Sequence, residues 1–427
     1  MEALRAAIQG WNPWWIQAWN FPPTVSREMT GRILALEKTT HIKDIIGIRR
    51  SGKSTVMMQV IESLVQAGSK TSSMILLNFE DPVLKNTTFT DIQDAIFFTC
   101  PDARCLFLDE IQEKNGWEHW VRTIYDTRRF EAIFISGSSA SLLVADIGRV
   151  LSGRHLSFVL LPFSFQEYLR LCKWPEKSIV QIHGDLPRLN RHLEDFLLGG
   201  GFPEVLQHDE PARRRILTDL FKDIVSRDIV ARHHVDATKV QALAIYVFTN
   251  WTRTFSYNKI ASALNMHVNT IENYLGYMEE AFLIFVLNRF AYKLQKQYRE
   301  EKKIYVIDTG LRFFIAFQTT KDMGKAAENA VFLELKRRDL EVYYWQDGNH
   351  EVDFCVTHGA SVQDLIQVAW DITSPATKKR EVEGLLAAAK ALKQDHGTII
   401  TFNVASEEAI DSVRIRFVPL AAWLLDK

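Results

Sequence analysis

Cysteine is scarce in this chain. Cys100, Cys105, Cys172 and Cys355 are the only four in 427 residues, too few for a disulfide framework, and no pair has the CxxC spacing of a zinc site. Such usage fits a reduced compartment, so a cytoplasmic protein is expected. Long apolar runs are missing too. The longest candidate, Ala281 to Leu287, falls well short of the ~18–20 residues that a membrane helix needs. The opening Met1-Glu2-Ala3-Leu4-Arg5 leads into no continuous apolar stretch, so neither a secretory signal nor a membrane partner is expected. Neither sign of charge is in excess. The 51 Lys and Arg nearly cancel the 52 Asp and Glu, which excludes a histone-like positive coat but not a local basic face. Internal repeats and low-complexity tracts are absent. What remains is an ordinary globular composition, 47% apolar and 24% charged. The length suits about two to four domains.

The strongest positive signal is Gly47-Ile48-Arg49-Arg50-Ser51-Gly52-Lys53-Ser54, which fits GxxxxGK[ST] without a mismatch. Two glycines let such a loop wrap phosphate with its N–H groups turned inward. Lys53 puts a point charge on the outer phosphates, and the Ser54 hydroxyl can ligate Mg²⁺. A helix N-terminus below the loop adds its dipole. The context agrees. Asp44 to Ile48 reads as a buried strand, and Val56, Met57, Val60, Ile61 and Leu64 follow at helical spacing. The expected nucleotide-binding set is Gly47, Arg50, Ser51, Gly52, Lys53, Ser54 and Thr55. Arg49 and Arg50 either add charge near the phosphates or form solvated surface.

Leu106-Phe107-Leu108-Asp109-Glu110 is an apolar strand ending in two acids. Beside a phosphate loop, Asp109 can hold the Mg²⁺ shell with Ser54. Glu110 can orient and deprotonate the attacking water. A further strand, Glu131 to Ile135, ends in Ser136-Gly137-Ser138-Ser139. Ser136 and Ser138 are candidates for sensing the γ-phosphate, against the alternative of a plain glycine–serine turn. Met74 to Phe79 and Phe158 to Leu161 read as two more strands. Their alternation with helical stretches predicts a parallel sheet covered on both faces.

These motifs resemble prokaryotic AAA+-like P-loop ATPases of the archaeal-ATPase type, related to the STAND NTPases and ending in a restriction-endonuclease-like domain. The resemblance runs from Asn12-Pro13-Trp14-Trp15 through the arginine-rich phosphate loop, Leu108-Asp109-Glu110-Ile111-Gln112 and Ser136-Gly137-Ser138-Ser139. It continues through Leu151-Ser152-Gly153-Arg154 and Leu161-Pro162-Phe163-Ser164-Phe165-Gln166-Glu167-Tyr168. It implies binding and hydrolysis of ATP with Mg²⁺. It also makes Arg154 a candidate catalytic arginine acting in cis or from a neighbouring subunit, with a structural ion pair as the alternative. An arginine working in trans would imply a homo-oligomer.

The fold class expected is α/β. A P-loop NTPase with a parallel sheet is followed by a helical and winged-helix region and an α/β restriction-endonuclease-like domain. The expected parts are a Trp-rich arm over 1–35, the ATPase over 36–170, a helical lid and linker over 171–235, a winged helix over 236–305 and the nuclease-like domain over 306–427. In the arm, Trp11, Trp14, Trp15 and Trp19 must be buried somewhere. Pinning onto the ATPase core is the plain reading and a docking surface the sharper one. No Arg or Lys interleaves them between Gly10 and Thr24, so base stacking is poorly supported.

Leu217, Leu220, Phe221, Ile224 and Val225 form an amphipathic stripe in the lid. Ser256 to Glu279 then reads as helix–turn–helix. Ser256 caps the first helix, Asn265 suits the turn, and Val268, Ile271, Leu275 and Met278 line the second helix. Double-stranded DNA is a candidate partner. The second helix offers Asn269, Thr270 and Asn273 outward, yet carries Glu272, Glu279 and Glu280 and no basic residue. Positive charge follows at Arg289, Lys293, Lys296, Arg299, Lys302 and Lys303, which could track phosphates as a wing would. Other basic groups are Lys336-Arg337-Arg338 and Lys378-Lys379-Arg380. A purely structural lid is the alternative.

Over the last stretch, the positions that match the metal-holding acids and lysine of the nuclease fold are Glu328, Asp353, Gln367 and Ala369. Gln367 can still lend an oxygen, but Ala369 can do none of the lysine's work. Lys378 lies too far along, so an active nuclease would need a surrogate lysine from elsewhere. A non-catalytic scaffold is preferred. Two rivals to an ATP-driven switch or motor therefore stand: an ATP-regulated, metal-dependent nuclease, and a non-hydrolysing protein-interaction switch.

Overall fold

A computed structural model describes residues 1–16, 19–137, 151–175, 184–293, 297, 300–316 and 322–426. The chain divides into two compact units, Met1–Leu160 and Leu161–Lys427.

The first unit is built on a five-stranded sheet in the order β2-β3-β4-β1-β5, with every pair parallel. The strands are β1 (Ile42–Ile46), β2 (Met74–Asn78), β3 (Cys105–Asp109), β4 (Ala132–Gly137) and β5 (His155–Val159). Strands β1 to β4 are buried almost throughout, as expected of a parallel sheet covered on both faces, although β1 carries Lys43 and Asp44. The last strand begins three residues before the expected Phe158 and ends before Leu160. All the strands point the same way, so Asn78, Asp109 and Gly137 finish on one edge, where β1 hands over to Gly47. The Lys53–Gln66 helix returns along one face and buries Val56, Met57, Val60 and Ile61.

The N-terminal arm caps the open edge of this sheet. β2 is an edge strand, and unpaired edge amides invite association. Asn12 answers them with both ends of its amide. Its Nδ2 donates to Leu76 O at 2.8 Å, and its Oδ1 accepts from Leu76 N at 2.7 Å. Trp15 Nε1 donates to Met74 O at 2.9 Å. Trp14, only 2% exposed, packs with Met29, Ile33, Val56 and Met57, whereas Trp19 stays 39% exposed.

The second unit holds two sheets. The smaller, in the order β6-β8-β7, is antiparallel and joins β6 (Thr254–Phe255), β7 (Ile284–Leu287) and β8 (Lys302–Val306). Helices Ala237–Thr249, Tyr257–Leu264 and Val268–Glu280 precede its long hairpin. Ser256 caps the second of these, and Asn265 takes the left-handed conformation (φ 51°) that ends it. Ile271, Leu275 and Met278 are buried as expected. Val268 is not: at 37% exposed it sits in the first turn, beyond the end of the face it would cover.

The larger sheet runs β13-β14-β12-β11-β10-β9. Helix Met323–Arg337 leads into the antiparallel strands β9 (Glu341–Asp347), β10 (His350–His358) and β11 (Ser361–Ala369). Helix Pro375–Leu392 then crosses to β12 (His396–Thr401), parallel to β11, and β13 (Ser406–Ile410) and β14 (Val413–Pro419) complete the edge. The order is helix, three strands, helix, strand.

Candidate active site

Backbone geometry explains the glycines of the phosphate loop. Gly47 has φ 149°, and a Cβ there would lie 2.3 Å from Leu160 O, so no larger residue fits. Gly52 has φ 98° and opens the Lys53–Gln66 helix. The Lys53 side chain is buried and donates to Gly47 O at 3.1 Å and Ile48 O at 3.2 Å. It lies 3.9 Å from Glu110 Oε1. Ser54 Oγ donates to Asp109 Oδ2 at 2.8 Å. The two groups expected to share a Mg²⁺ shell thus already face each other, which is the fit that such an ion requires.

Ser136 stands on the other side of the acids. Its Oγ donates to Asp109 Oδ1 and accepts from Glu110 N at 3.1 Å. Its observed partners are therefore the acid pair. The other sensor candidate, Ser138, lies outside the described residues, as does Ser139. Burial pushes the Asp109 carboxyl above its ordinary value, the Ser136 hydrogen bond opposes the rise, and neighbouring Glu110 reinforces it. Glu80 is raised for the same leading reason, burial, with Glu110 second. Glu110 itself takes a left-handed backbone (φ 49°), and its Oε2 accepts from Gln112 Nε2 at 2.5 Å. Around the loop, Ser51 is buried, Arg50 is exposed with φ 62°, and Thr55 follows Ser54 in the first helical turn.

Arg154 needs correction as a catalytic arginine of this chain's own site. Its carbonyl accepts from Ile42 N, at the start of β1, while the phosphate loop leaves the opposite end of that strand. There Arg154 Nε donates to Asp126 Oδ1 at 3.1 Å. The structural ion pair is what the sheet direction permits within one chain.

Three contributors were not foreseen. Arg27 is buried just before the Glu28–Ala35 helix, and its Nη1 donates to Ser51 O at 2.6 Å. Gln59 on the phosphate-loop helix holds that segment, accepting from Arg27 N at 3.1 Å and donating to Val25 O at 2.8 Å. Asn78 donates to Asp109 Oδ2 at 3.3 Å. Only Asn78 left a usable sequence signal, as a polar residue ending a strand beside the Asp109 strand.

Most of the basic groups expected to face DNA find partners within the second unit, some buried and some on its surface. Lys302 is buried and donates to Asn288 Oδ1 at 3.0 Å, and Arg289 pairs with Glu300 at 2.7 Å. Lys303 is buried among acids: it donates to Asp353 Oδ1 at 2.9 Å and Glu328 Oε1 at 3.1 Å, with Glu351 Oε1 2.6 Å away. Arg337 donates to Pro162 O at 2.8 Å and Arg338 to Trp423 O at 3.0 Å. Lys378 pairs with Glu408, Lys379 with Glu383 and Arg380 with Glu381. Lys296 and Arg299 lie outside the described residues. Sequence proximity concentrated these charges, but folding turned most of them towards acids and carbonyls.

A parallel sheet, a glycine loop at the end of β1 and an acid pair at the end of β3 define a P-loop ATPase domain of the AAA type. Residues 39–169 match the family model described as an AAA domain, and residues 190–322 match one described as Domain of unknown function (DUF8612). An uncharacterized protein of Methanocaldococcus jannaschii is 34% identical over 404 residues, spanning 90% of this chain and 88% of its own. The chain belongs to the family of that archaeal protein. An uncharacterized protein of Haemophilus influenzae is 28% identical over 414 residues, spanning 94% and 98%. Among solved structures, the Orc1 protein of Aeropyrum pernix in complex with DNA is similar at TM-score 0.32 and 13% identity, covering 72% of this chain and 94% of that one. AMPPCP-bound DnaA of Aquifex aeolicus is similar at TM-score 0.28 and 16% identity, covering 59% and 86%. At these scores the structural likenesses carry no functional inference. Among the described residues no helix is long and apolar enough to cross a membrane.

Proposed function

We propose that this protein is a Mg²⁺-dependent, ATP-hydrolysing switch or motor. The observation that carries the reading is the direct meeting of Ser54 Oγ and Asp109 Oδ2 at 2.8 Å, at the foot of the phosphate loop. Mg²⁺ bound with ATP would supply charge neutralisation of the outer phosphates. Ser54 and Asp109 would hold it. Lys53 exchanges the carbonyls of Gly47 and Ile48 for phosphate oxygens, and the loop amides complete the cradle. Glu110 orients water and accepts its proton. Ser136 and Gln112 fix the acid pair, and Arg27 and Gln59 brace the loop from outside.

The second unit supplies what nucleotide state acts upon. A helix, the short strand β6, two further helices and the β7–β8 hairpin support a winged helix, and the helix–three strands–helix–strand order supports a restriction-endonuclease-like domain. Double-stranded DNA is the proposed partner of the winged helix. Asn269 and Asn273 are exposed on the Val268–Glu280 helix, but no basic residue accompanies them. Counterion release therefore contributes little, and any DNA contact is modest. Steady-state ATPase assays with Mg²⁺ or EDTA, each with and without double-stranded DNA, test both levels. Turnover in Mg²⁺ that vanishes in EDTA is expected, with DNA changing its rate. Tight nucleotide retention without turnover would replace the motor by a non-hydrolysing switch.

A further inference from the structure

The nuclease-like fold raises the question of a second metal site, and the matching residues do gather in one place. A register shift between Val352 and Cys355, where β10 pairs with β9, marks a bulge that contains Asp353. Glu328 comes from helix Met323–Arg337, and Lys303 enters from β8 of the other sheet. Lys303 is the lysine that Ala369 cannot supply, but it sits in contact with the acids that would hold the ion, where the ion itself would have to stand. An ammonium has three N–H groups. Three acidic side chains face this one: Asp353 Oδ1 at 2.9 Å, Glu328 Oε1 at 3.1 Å and Glu351 Oε1 at 2.6 Å.

Other polar atoms around the cup are engaged as well. Asp353 Oδ2 accepts from Val368 N at 3.0 Å, and Glu328 Oε1 also accepts from Tyr305 OH at 2.8 Å. Gln367 Oε1 accepts from Asp353 N at 3.0 Å, while its Nε2 donates to Glu381 Oε2 at 2.8 Å. Glu381 in turn accepts from Arg380. A divalent ion would have to displace the ammonium or share the cup with it, and two cations in contact repel strongly where water is excluded. Among the described residues, no group of His, Cys, Asp or Glu is arranged to hold a metal. The residues do not fit the ion that the fold suggests.

We infer that Lys303 is the permanent cation of this cup. It takes the place of a divalent metal and turns a nuclease-like centre into an ion-paired joint between β8, β10 and the Met323–Arg337 helix. The inference rests on the geometry of the cup and is independent of the ATPase reading.

The test is Mn²⁺ binding to the full chain carrying Asp109→Asn, without nucleotide, followed by electron paramagnetic resonance. The expected result is no saturable Mn²⁺ site and no change when Asp353→Asn is added. A saturable site that Asp353→Asn abolishes would overturn the proposal, as would Mn²⁺-dependent plasmid cleavage lost with the same change. A second measurement asks the converse. Lys303→Met keeps the aliphatic stem and removes the charge. This variant is expected to melt lower by roughly 5 °C or more, to regain part of that loss in millimolar Mn²⁺, and to lose the rescue when Asp353→Asn is added. Unchanged melting of Lys303→Met would contradict the proposal. The Mn²⁺ titration leaves the cup's lysine intact, so it decides the question even if Lys303→Met does not fold.

Discussion

Lys53 and Lys303 are both buried, and each stands among acids contributed by neighbouring elements, but they are held in opposite ways. Lys53 gives hydrogen bonds to two loop carbonyls and keeps Glu110 at 3.9 Å. Lys303 is closed in by three acidic side chains within 3.1 Å. Neutral carbonyls are partners that a phosphate can replace, since the charged oxygens offer the stronger bond. Carboxylates inside a protein are not given up so readily, because an unpaired buried charge is costly. One arrangement waits for an anionic ligand, and the other has its counter-ion built in. The residue types are nearly the same, so partner and position decide which lysine is proposed to meet a ligand.

Substituting each lysine sharpens the contrast. Lys53→Ala should weaken nucleotide affinity by about two orders of magnitude or more, the scale of a lost charge-assisted contact to phosphate. Its melting temperature without nucleotide should barely change. Equilibrium binding of a fluorescent ATP analogue measures the first effect and a thermal scan the second. Lys303→Ala should do the reverse. Breaking a buried pair by removing one partner costs about 3–5 kcal/mol, visible in denaturant unfolding of the second unit. ATP affinity should stay within about twofold. A Lys303→Ala chain that unfolds like the parent would erase the distinction.

A subtler effect belongs to Glu328. Burial, reinforced by Asp353, pushes its carboxyl up from 4.5 to about 8. Lys303 and Tyr305 on β8 and Asp353 on β10 face it. A folded value above the unfolded one means that the native state binds the extra proton. This contribution to stability is complete below about 4.5 and is lost as the pH climbs through about 8. The unfolding free energy should therefore fall across that window, and Glu328→Gln should flatten the fall. Parallel denaturant titrations at several pH values read the difference, and identical slopes for the two chains would rule this origin out.

Much of the first site was legible because its demands are local. A glycine loop that must wrap phosphate, a strand before it, a helix after it and an acid pair ending an apolar strand all lie in short windows. The sheet order brought Asp109 to Ser54 as those windows implied. Arg27 and Gln59 were not legible, since a single arginine before a helix carries no periodicity and no motif. Arg154 left two readings open in sequence, and the direction of β5 puts it at the far end of the sheet, beside Asp126 and away from the phosphate loop of its own chain. In the second unit, helix periodicity and the Asn265 turn were readable. The fate of the basic clusters was not, because Lys303 and Asp353 are fifty residues apart in sequence and meet only when two sheets pack.

The central claim is that Glu110 activates water while the phosphate loop binds ATP independently of it. The most direct measurement is single-turnover hydrolysis of Mg²⁺-ATP by the parent chain and by Glu110→Gln, with ATP affinity determined alongside. The account predicts affinities within a few-fold of each other and a rate lowered by about 10²–10⁴-fold. Equal rates at equal occupancy would contradict it.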